Sequence, residues 1–266
     1  MDEHDKNKSH VRSLARALRL LEALAGTDRE ISLTELADKL EWPKSTVHGI
    51  LATLRDYRFV DQSDANGRYR LGVRLFELGQ KAARNWGIRD IALPVMQRLN
   101  AQCGEMVQLA TEDAGEVFYL EKLDSTHIIR IVSEIGTRLP IHCSGLGKVL
   151  LAYRAPAEAR GILMRNGMRR MTNNTITDPA RMEIELKKIR KQGYAIDNQE
   201  IMEGLRCVAA PIKSMNGDVK YAISVSGFVE RLSGDYLEFV KNALIESAAE
   251  ISRNMGYLAP QEQELI

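Results

Sequence analysis

The chain has 266 residues, a formal net charge of +1 and three isolated cysteines, Cys103, Cys143 and Cys207. The length predicts two domains, and the near-neutral charge excludes a general polyanion-binding protein. An odd number of cysteines scattered along the chain favours neither a disulfide framework nor a zinc site. The sequence has no long apolar run and no signal-peptide pattern, which predicts a cytoplasmic protein with no membrane partner. No cofactor is expected.

The first predicted helix carries an apolar stripe that should pack on the N-terminal domain. Basic side chains project from its opposite side, namely Arg12, Arg16 and Arg19. The stripe follows helical spacing and comprises Leu14, Ala17, Leu18, Leu21, Leu24 and Ala25. We therefore expect this helix to be amphipathic, with its arginines facing solvent or phosphates.

A second predicted helix begins at the capping-box pair Ser32 and Glu35. Its apolar residues recur at helical spacing up to Leu40. Glu41-Trp42-Pro43 ends this helix, because the residue before a proline is pushed out of the α region. Proline also suits the start of a new helix, so a tight turn into a third helix is predicted.

The third predicted helix has one apolar and one polar face. Val47, Ile50, Leu51 and Leu54 repeat the apolar spacing. The polar side chains are short or can both donate and accept hydrogen bonds. They cluster near the N-terminal end of the helix, where recognition helices usually contact base edges. We expect DNA contacts from Lys44, Ser45, Thr46, His48, Gly49, Thr53 and Arg55.

A β-hairpin is predicted directly after these helices. Residues 59–62 form its first strand, Asn66-Gly67 its turn and residues 68–71 its return strand. Arg68 and Arg70 share one face by the strand period of two, where a wing contacts the DNA backbone or minor groove. Residues 44–74 hold six basic and three acidic residues, a local charge of +3. The array predicts a winged helix-turn-helix and sequence-specific DNA binding.

The remainder of the chain predicts an α+β domain built on a mostly antiparallel sheet. A connecting helix is expected from residue 75 to about residue 86. The expected order is then helix 90–102, strands 106–112, 116–123 and 127–134, helices 145–153, 156–165 and 178–192, strands 194–199, 206–213 and 219–226, and helix 234–255.

Two local patterns in this domain indicate a ligand site. Gly145-Leu146-Gly147 opens a helix whose first N–H groups lack partners and attract anions, although capping without a ligand explains the pattern equally well. Asn216-Gly217 predicts a two-residue hairpin turn, so that paired residues sum to 433. Cys207 would then face Ser226, and Ala209 would face Ser224, giving a small, weakly polar floor. A solvated or tightly packed sheet face is the alternative.

Six motifs together resemble the IclR family of bacterial transcriptional regulators. They are Val11-Arg12-Ser13-Leu14-x-Arg16-Ala17-Leu18, Lys44-Ser45-Thr46-Val47, Tyr69-Arg70-Leu71-Gly72, Ser144-Gly145-x-Gly147-Lys148-x-Leu150-Leu151-Ala152, Gly193-Tyr194-x-x-Asp197 and Glu203-Gly204-x-x-Cys207-x-Ala209-x-Pro211-Ile212. The resemblance implies an N-terminal winged helix-turn-helix (10–74), a linker helix (75–88) and a C-terminal GAF-like effector-binding and oligomerisation domain (89–257). Within the family, the chain is similar to repressors of sugar-acid catabolism.

The resemblance also implies partners and site residues. The partners are double-stranded operator DNA, a small organic acid and further copies of the chain, as a homodimer or tetramer. The implied effector residues are Ile131, Leu139, Gly145, Leu146, Asp197, Cys207, Ser224 and Ser226. The Asp197 carboxylate can accept from a ligand hydroxyl and the loop N–H groups can take a ligand carboxylate, so a sugar acid or keto acid fits better than an aromatic effector. We therefore expect a repressor of a catabolic operon rather than an enzyme.

Two other classes of function compete with this hypothesis. A thiol-based regulator or enzyme would use Cys143 or Cys207, with His142 as its base. Adjacent residues of a strand point to opposite faces, which argues against pairing His142 with Cys143. A metal-responsive regulator would use His142 and a cysteine, but the five histidines show no spacing typical of zinc.

Overall fold

The computed structural model describes residues 11–27, 29–84, 87–127 and 135–258. The chain divides into two units, Met1–Trp86 and Gly87–Ile266. The expected effector residue Ile131 lies outside the described residues, as does the strand predicted for 127–134 apart from His127. Among the described residues, no helix is long and apolar enough to cross a membrane.

The N-terminal unit contains the predicted helix-turn-helix and hairpin. Its elements are α1 (Arg12–Ala25), α2 (Leu33–Leu40), α3 (Lys44–Asp56), β1 (Val60–Gln62), β2 (Tyr69–Leu71) and α4 (Val73–Arg84). The capping box at Ser32 and Glu35 is confirmed, since the N–H of each residue donates to the side chain of the other. A single core cluster, which includes Leu36, Val47 and Leu51, joins the three helices to the hairpin.

The predicted stripe on α1 is only partly correct, because Leu24 is buried and Leu21 is half-buried as expected but the N-terminal leucines of the stripe are not. Leu20 and Leu24 are buried, whereas Leu14 and Leu18 are 59% and 53% exposed. Leucine and alanine are so frequent in this helix that two overlapping stripes satisfy helical spacing, and packing against α2 and β2 selects the one around Leu20. Arg12, Arg16 and Arg19 are exposed as expected, and the Arg16 guanidinium lies 5.8 Å from the centre of the Trp42 ring.

The hairpin is antiparallel as predicted, but its loop is longer than a two-residue turn. Val60 pairs with Leu71 and Gln62 with Tyr69, so residues 63–68 form the loop. The Gly67 N–H donates to the Ser63 carbonyl, and the Asn66 side chain accepts from the Arg68 N–H. Gly67 has a positive φ of 65°, which explains the need for glycine at this position.

The C-terminal unit is an antiparallel sheet covered by helices on both faces. Its elements are α5 (Ile88–Cys103), β3 (Met106–Asp113), β4 (Glu116–Leu123), β5 (Arg138–Pro140), α6 (Gly145–Ala152), α7 (Pro156–Asn166), α8 (Pro179–Gln192), β6 (Ala195–Asn198), β7 (Leu205–Lys213), β8 (Val219–Phe228) and α9 (Gly234–Asn254). The sheet order is β5-β4-β3-β8-β7-β6. Helices α5 and α9 pack on one face, and α6, α7 and α8 supply the core on the other. The α+β class is confirmed.

The register of β7 and β8 is confirmed, although the turn between them differs from the prediction. Cys207 faces Ser226 and Ala209 faces Ser224, as a sum of 433 requires. The Ser214 N–H donates to the Asp218 carbonyl, so the loop has three residues instead of two. A bulge next to Lys213 adds one residue to β8 and cancels this difference. The strand alternation therefore remains correct through the core.

Helix α6 lies unusually close to the chain that precedes it, and Gly147 makes this approach possible. A Cβ atom built at Gly147 would be 2.1 Å from the Ile141 carbonyl oxygen. Backbone cannot move aside as a flexible side chain can, so only glycine fits. The start of α6 is thereby fixed against the segment after β5.

Gly147→Ala should lower the free energy of unfolding of the C-terminal unit by about 1–3 kcal/mol or more, because the new methyl group overpacks against backbone. Gly161→Ala is the matched control, since this helical glycine of α7 meets only the mobile end of Arg165. Thermal melts of the full chain should show a clear loss for Gly147→Ala and no loss for Gly161→Ala. Equal melting temperatures would contradict the close approach.

Candidate functional site

The polar face of α3 is presented as predicted. Val47 and Leu51 are buried, while Lys44, Ser45, His48, Gly49, Thr53 and Arg55 are exposed and Thr46 is half-buried. Two of these side chains already have partners within the unit. The Thr53 hydroxyl donates to the Gly49 carbonyl at 3.0 Å, and Arg55 donates to the Gln62 amide oxygen at 2.7 Å. The remaining residues form an open, hydrogen-bonding surface.

The two wing arginines differ in their surroundings. Arg68 donates to the Glu30 carbonyl and to the Glu35 carboxylate, each at 3.1 Å. Arg70 is 61% exposed at its side chain and lies 3.4 Å from the Glu30 carboxylate. Arg68 therefore holds the hairpin against the start of α2, whereas Arg70 is largely exposed and is ion-paired with Glu30 and, at 3.9 Å, with Asp61.

Glu35 is the acidic partner that organises this contact. Hydrogen bonds from the Ser32 backbone, the Ser32 hydroxyl and Arg29 lower the pKa of Glu35 to about 2. Glu30 adds a second anchor, because its carboxylate accepts from the Asn66 amide at 3.0 Å. Glu35 was predicted only as part of the capping box and Glu30 was not predicted at all, since nothing in their spacing reveals contacts with a hairpin more than 30 positions away.

In the C-terminal unit, the predicted floor is connected to a buried amide and a phenol. The Ser224 and Ser226 hydroxyls donate to the Gln108 side-chain oxygen at 3.0 and 2.7 Å. The Gln108 amide donates in turn to the Tyr119 hydroxyl at 3.2 Å. All four side chains are buried. Gln108 was missed, although a lone amide within an apolar strand is a signal that could have found it.

The N-terminus of α6 lies directly on this floor. A Cβ atom built at Gly145 would be 3.3 Å from the Ala209 Cβ and 3.7 Å from the Cys207 Cβ. The Ser144 hydroxyl caps the helix by accepting from the Gly147 N–H at 3.1 Å. Leu146 and Leu139 belong to the same core region. The structure thus brings Gly145, Asp197, Cys207, Ser224 and Ser226 together, whereas Leu139 lies on β5, at the opposite edge of the sheet from β6.

Asp197 is fully buried beside this floor and is incompletely satisfied. It pairs with Cys207 across β6 and β7. Its Oδ1 accepts from the Glu200 N–H at 2.7 Å, but its Oδ2 has no hydrogen-bond partner. Burial raises the pKa of Asp197 to about 7. A buried acceptor without a donor is rare in native structures and often marks a site that a ligand or solvent molecule fills.

A buried ion pair next to Asp197 was not predicted. Lys148 of α6 is 1% exposed, and its ammonium donates to the Ile196 carbonyl at 2.7 Å and to the Glu200 carboxylate. Glu185 lies 3.7 Å from the same ammonium. The signal in the sequence is a single lysine inside the otherwise apolar helix 145–152. Its partner could not be read from the sequence, since it lies 52 positions away.

The thiol and metal alternatives gain no support from the geometry. Burial raises the pKa of the Cys143 thiol to about 12 and raises that of Cys207 as well, with the nearby Asp197 charge adding to both. His142 and Cys143 lie in a turn before α6 and not on a strand, and the His142 ring is held by the Arg169 carbonyl at 2.9 Å. Within the described ranges, no three His, Cys, Asp or Glu residues are grouped to hold a metal ion.

Models of known protein families match both parts of the chain. Residues 13–64 match the IclR helix-turn-helix domain, and residues 80–253 match the C-terminal domain of IclR bacterial transcriptional regulators. The chain belongs to the IclR family. It is therefore a helix-turn-helix transcriptional regulator that binds DNA.

Several individual IclR-family proteins are similar over nearly the whole chain. The HTH-type transcriptional regulator KdgR of Dickeya chrysanthemi is 37% identical, over 95% of this chain and 83% of its own length. The transcriptional repressor IclR of Escherichia coli K12 is 33% identical, over 92% and 90%. A crystal structure of an IclR homolog from Microbacterium hydrocarbonoxydans in complex with 4-hydroxybenzoate has a TM-score of 0.81 at 28% identity, over 91% of this chain and 98% of that one.

The raised pKa of Asp197 predicts a pH dependence of stability. The folded-state value of about 7 lies above the ordinary 3.8, so the stability contributed by the neutral carboxyl is complete below about pH 4 and is lost as the pH rises through about 7. Asp197→Asn removes this loss. The difference in melting temperature, variant minus native chain, should increase as the pH rises from about 4 to above about 7. A difference that is independent of pH would contradict an uncharged, buried Asp197.

Proposed function

We propose that this IclR-family protein is a repressor of a catabolic operon and that a small organic acid controls its occupancy of operator DNA. The acid binds between the N-terminus of α6 and the floor formed by β6, β7 and β8. The observation that carries this proposal is the unpartnered Oδ2 of Asp197, which is buried beside that floor. A ligand hydroxyl would supply the missing donor.

The groups around the floor favour a hydroxy acid or keto acid. The N–H groups of Gly145 and Leu146 stand at a helix N-terminus, which favours a carboxylate. The Ser224 and Ser226 hydroxyls donate to Gln108 and keep lone pairs free to accept from the ligand. The small side chains of Ala209 and Cys207 allow the N-terminus of α6 to approach the sheet closely, so that its N–H groups lie beside the floor. The complex of the Microbacterium homolog supports an acid as the class of ligand, since 4-hydroxybenzoate carries a carboxylate and a hydroxyl.

We propose that α3 reads the operator in the major groove and that the hairpin contacts the backbone. Support comes from the exposed face from Lys44 to Arg55 and from the exposed side chain of Arg70. Self-association into a dimer or tetramer is part of the proposal. Val11, Leu14 and Leu18 form an exposed apolar face on α1, and such a face supports contact with a second copy.

Ser45→Leu should abolish binding to an operator selected from a randomised duplex library, because a bulky apolar side chain cannot replace a hydroxyl at a base edge. Ser233→Leu, an exposed serine of the C-terminal unit, is the matched control. Gel-shift titration compares the two, and circular dichroism verifies that both variants are folded. Native affinity in the Ser45 variant would exclude α3 as the reading helix.

Arg70→Ala should weaken binding to every DNA sequence and lower the slope of log K against log salt by about 1, because one phosphate contact is lost. Arg165→Ala, an exposed arginine of α7, should leave the slope unchanged. Fluorescence anisotropy over a range of salt concentrations measures both. If the Arg70 variant keeps the native slope, the hairpin arginine faces solvent in the complex.

Asp197→Ala should reduce affinity for the acid about 5-fold to 150-fold, because a ligand donor then lies buried and unpaired at a cost of about 1–3 kcal/mol. Ser226→Leu should block the floor, and operator affinity without ligand should stay native in both variants. Asp218→Ala, an exposed carboxylate in the β7–β8 loop, is the matched control.

The measurement is calorimetric titration with sugar acids, keto acids and 4-hydroxybenzoate, followed by operator shifts with the acid that binds most tightly. An acid that binds Asp197→Ala and Ser226→Leu with native affinity would exclude this pocket.

A further inference from the structure

A second, polar cleft lies on the C-terminal unit, outside the proposed effector pocket. It has a volume of about 510 Å³ and is bounded by α8, by the segment 170–177 and by the end of β6. Its lining includes three basic side chains, Arg170, Arg181 and Lys188, and three acidic ones, Asp178, Glu185 and Glu200, together with Asn198. None of these residues was singled out in the sequence analysis.

The walls of this cleft are held in place by side-chain hydrogen bonds to the end of β6. The Thr172 hydroxyl donates to the Gln199 carbonyl at 2.6 Å, and the Thr175 hydroxyl donates to the Glu200 carbonyl at 2.7 Å. The Asn174 amide donates to the Asn198 carbonyl at 3.0 Å. The segment 170–177 is thereby tied to the strand end, and the cleft is preorganised.

The three basic and three acidic side chains of the cleft are unevenly paired, because Glu185 and Glu200 lie at Lys148 and Lys188 and not at the arginines. Arg170 and Arg181 form no ion pair with any acidic residue of the described ranges, and Lys188 lies 4.0 Å from Glu185. Arg181 stands in the first turn of α8, where the helix dipole favours an anion. Asp178 offsets part of this field, because its carboxylate caps the Arg181 N–H at 2.8 Å. Two guanidinium groups therefore remain to bind an anionic group.

Glu200 provides the complementary acceptor at the base of the cleft. It is 6% exposed, and its Oε1 is occupied by the Lys148 ammonium. Its Oε2 has no hydrogen-bond partner. Since a buried acceptor left without a donor is costly, a ligand hydroxyl at this position would be stabilising.

We propose that this cleft is a second small-molecule site, which binds an anionic polyol. Such a molecule carries one carboxylate or phosphate for Arg170 and Arg181, and several hydroxyls, one of which donates to Glu200. The site is separate from the floor at Ser224 and Ser226, but the two are connected. The Glu200 N–H donates to Asp197 Oδ1, so a ligand in the cleft can change the affinity of the effector pocket.

The test is calorimetric titration of the full chain with D-gluconate, glucose 6-phosphate and inorganic phosphate. We expect saturable binding of at least one polyol at millimolar concentration, and binding of gluconate or of glucose 6-phosphate identifies the carboxylate or the phosphate as the anionic group. Arg181→Gln should weaken that binding roughly tenfold or more, because a charge-assisted hydrogen bond is lost. Arg165→Gln is the matched control. Hydrogen exchange should slow in residues 170–178 when the polyol binds.

Ser226→Leu separates this proposal from the proposed effector function, because it blocks the floor and leaves the cleft intact. Polyol binding that survives Ser226→Leu and falls in Arg181→Gln supports the second site, whether or not any acid binds at Asp197. Four results would overturn it: no saturable binding of either polyol, native affinity in Arg181→Gln, loss of polyol binding in Ser226→Leu, or equally tight binding of inorganic phosphate.

Discussion

The close packing of α6 on β7 is the constraint on which the candidate ligand site depends. A Cβ atom at Gly145 would be in contact with Ala209 and Cys207, and a Cβ atom at Gly147 would clash with the Ile141 backbone. Larger residues at these positions would lift the helix and move its N–H groups away from the sheet. The Lys148 ammonium fixes the same helix to the end of β6 through the Ile196 carbonyl. The floor, Asp197 and the helix N-terminus therefore form one rigid arrangement.

Buried charge gives this arrangement its chemical character. Asp197, Glu200 and Lys148 are almost entirely buried, and each carboxylate keeps one oxygen without a partner. Burying such groups is costly, and their attraction repays the cost only when the remaining lone pairs are satisfied. A donor from a bound acid at Asp197 or from a polyol at Glu200 would complete these hydrogen bonds. Stability and protonation are coupled for this reason.

The sequence determined those features that follow from local periodicity. Asn216 and Gly217 mark the position of the β7–β8 hairpin, and the pairing of Cys207 with Ser226 could be predicted from them. The predicted loop is one residue too short, but the bulge in β8 compensates for this difference, so the strand alternation is unaffected. Helix α1 could not be oriented in this way, since leucines occur on two of its faces. Contacts between distant residues were also beyond local patterns. The ion pairs Lys148–Glu200 and Arg68–Glu35 depend on tertiary packing. Each gives a residue near a candidate site a structural role that its local sequence does not indicate.

Control of DNA binding in this account depends on one atom, the unpartnered Oδ2 of Asp197. The most direct test is a crystal structure of the full chain with the acid that binds most tightly in calorimetry. We expect an oxygen of that acid within about 3.2 Å of Oδ2, with the acid's carboxylate at the N–H groups of Gly145 and Leu146. An acid bound elsewhere, with Asp197 Oδ2 still unpartnered, would contradict it.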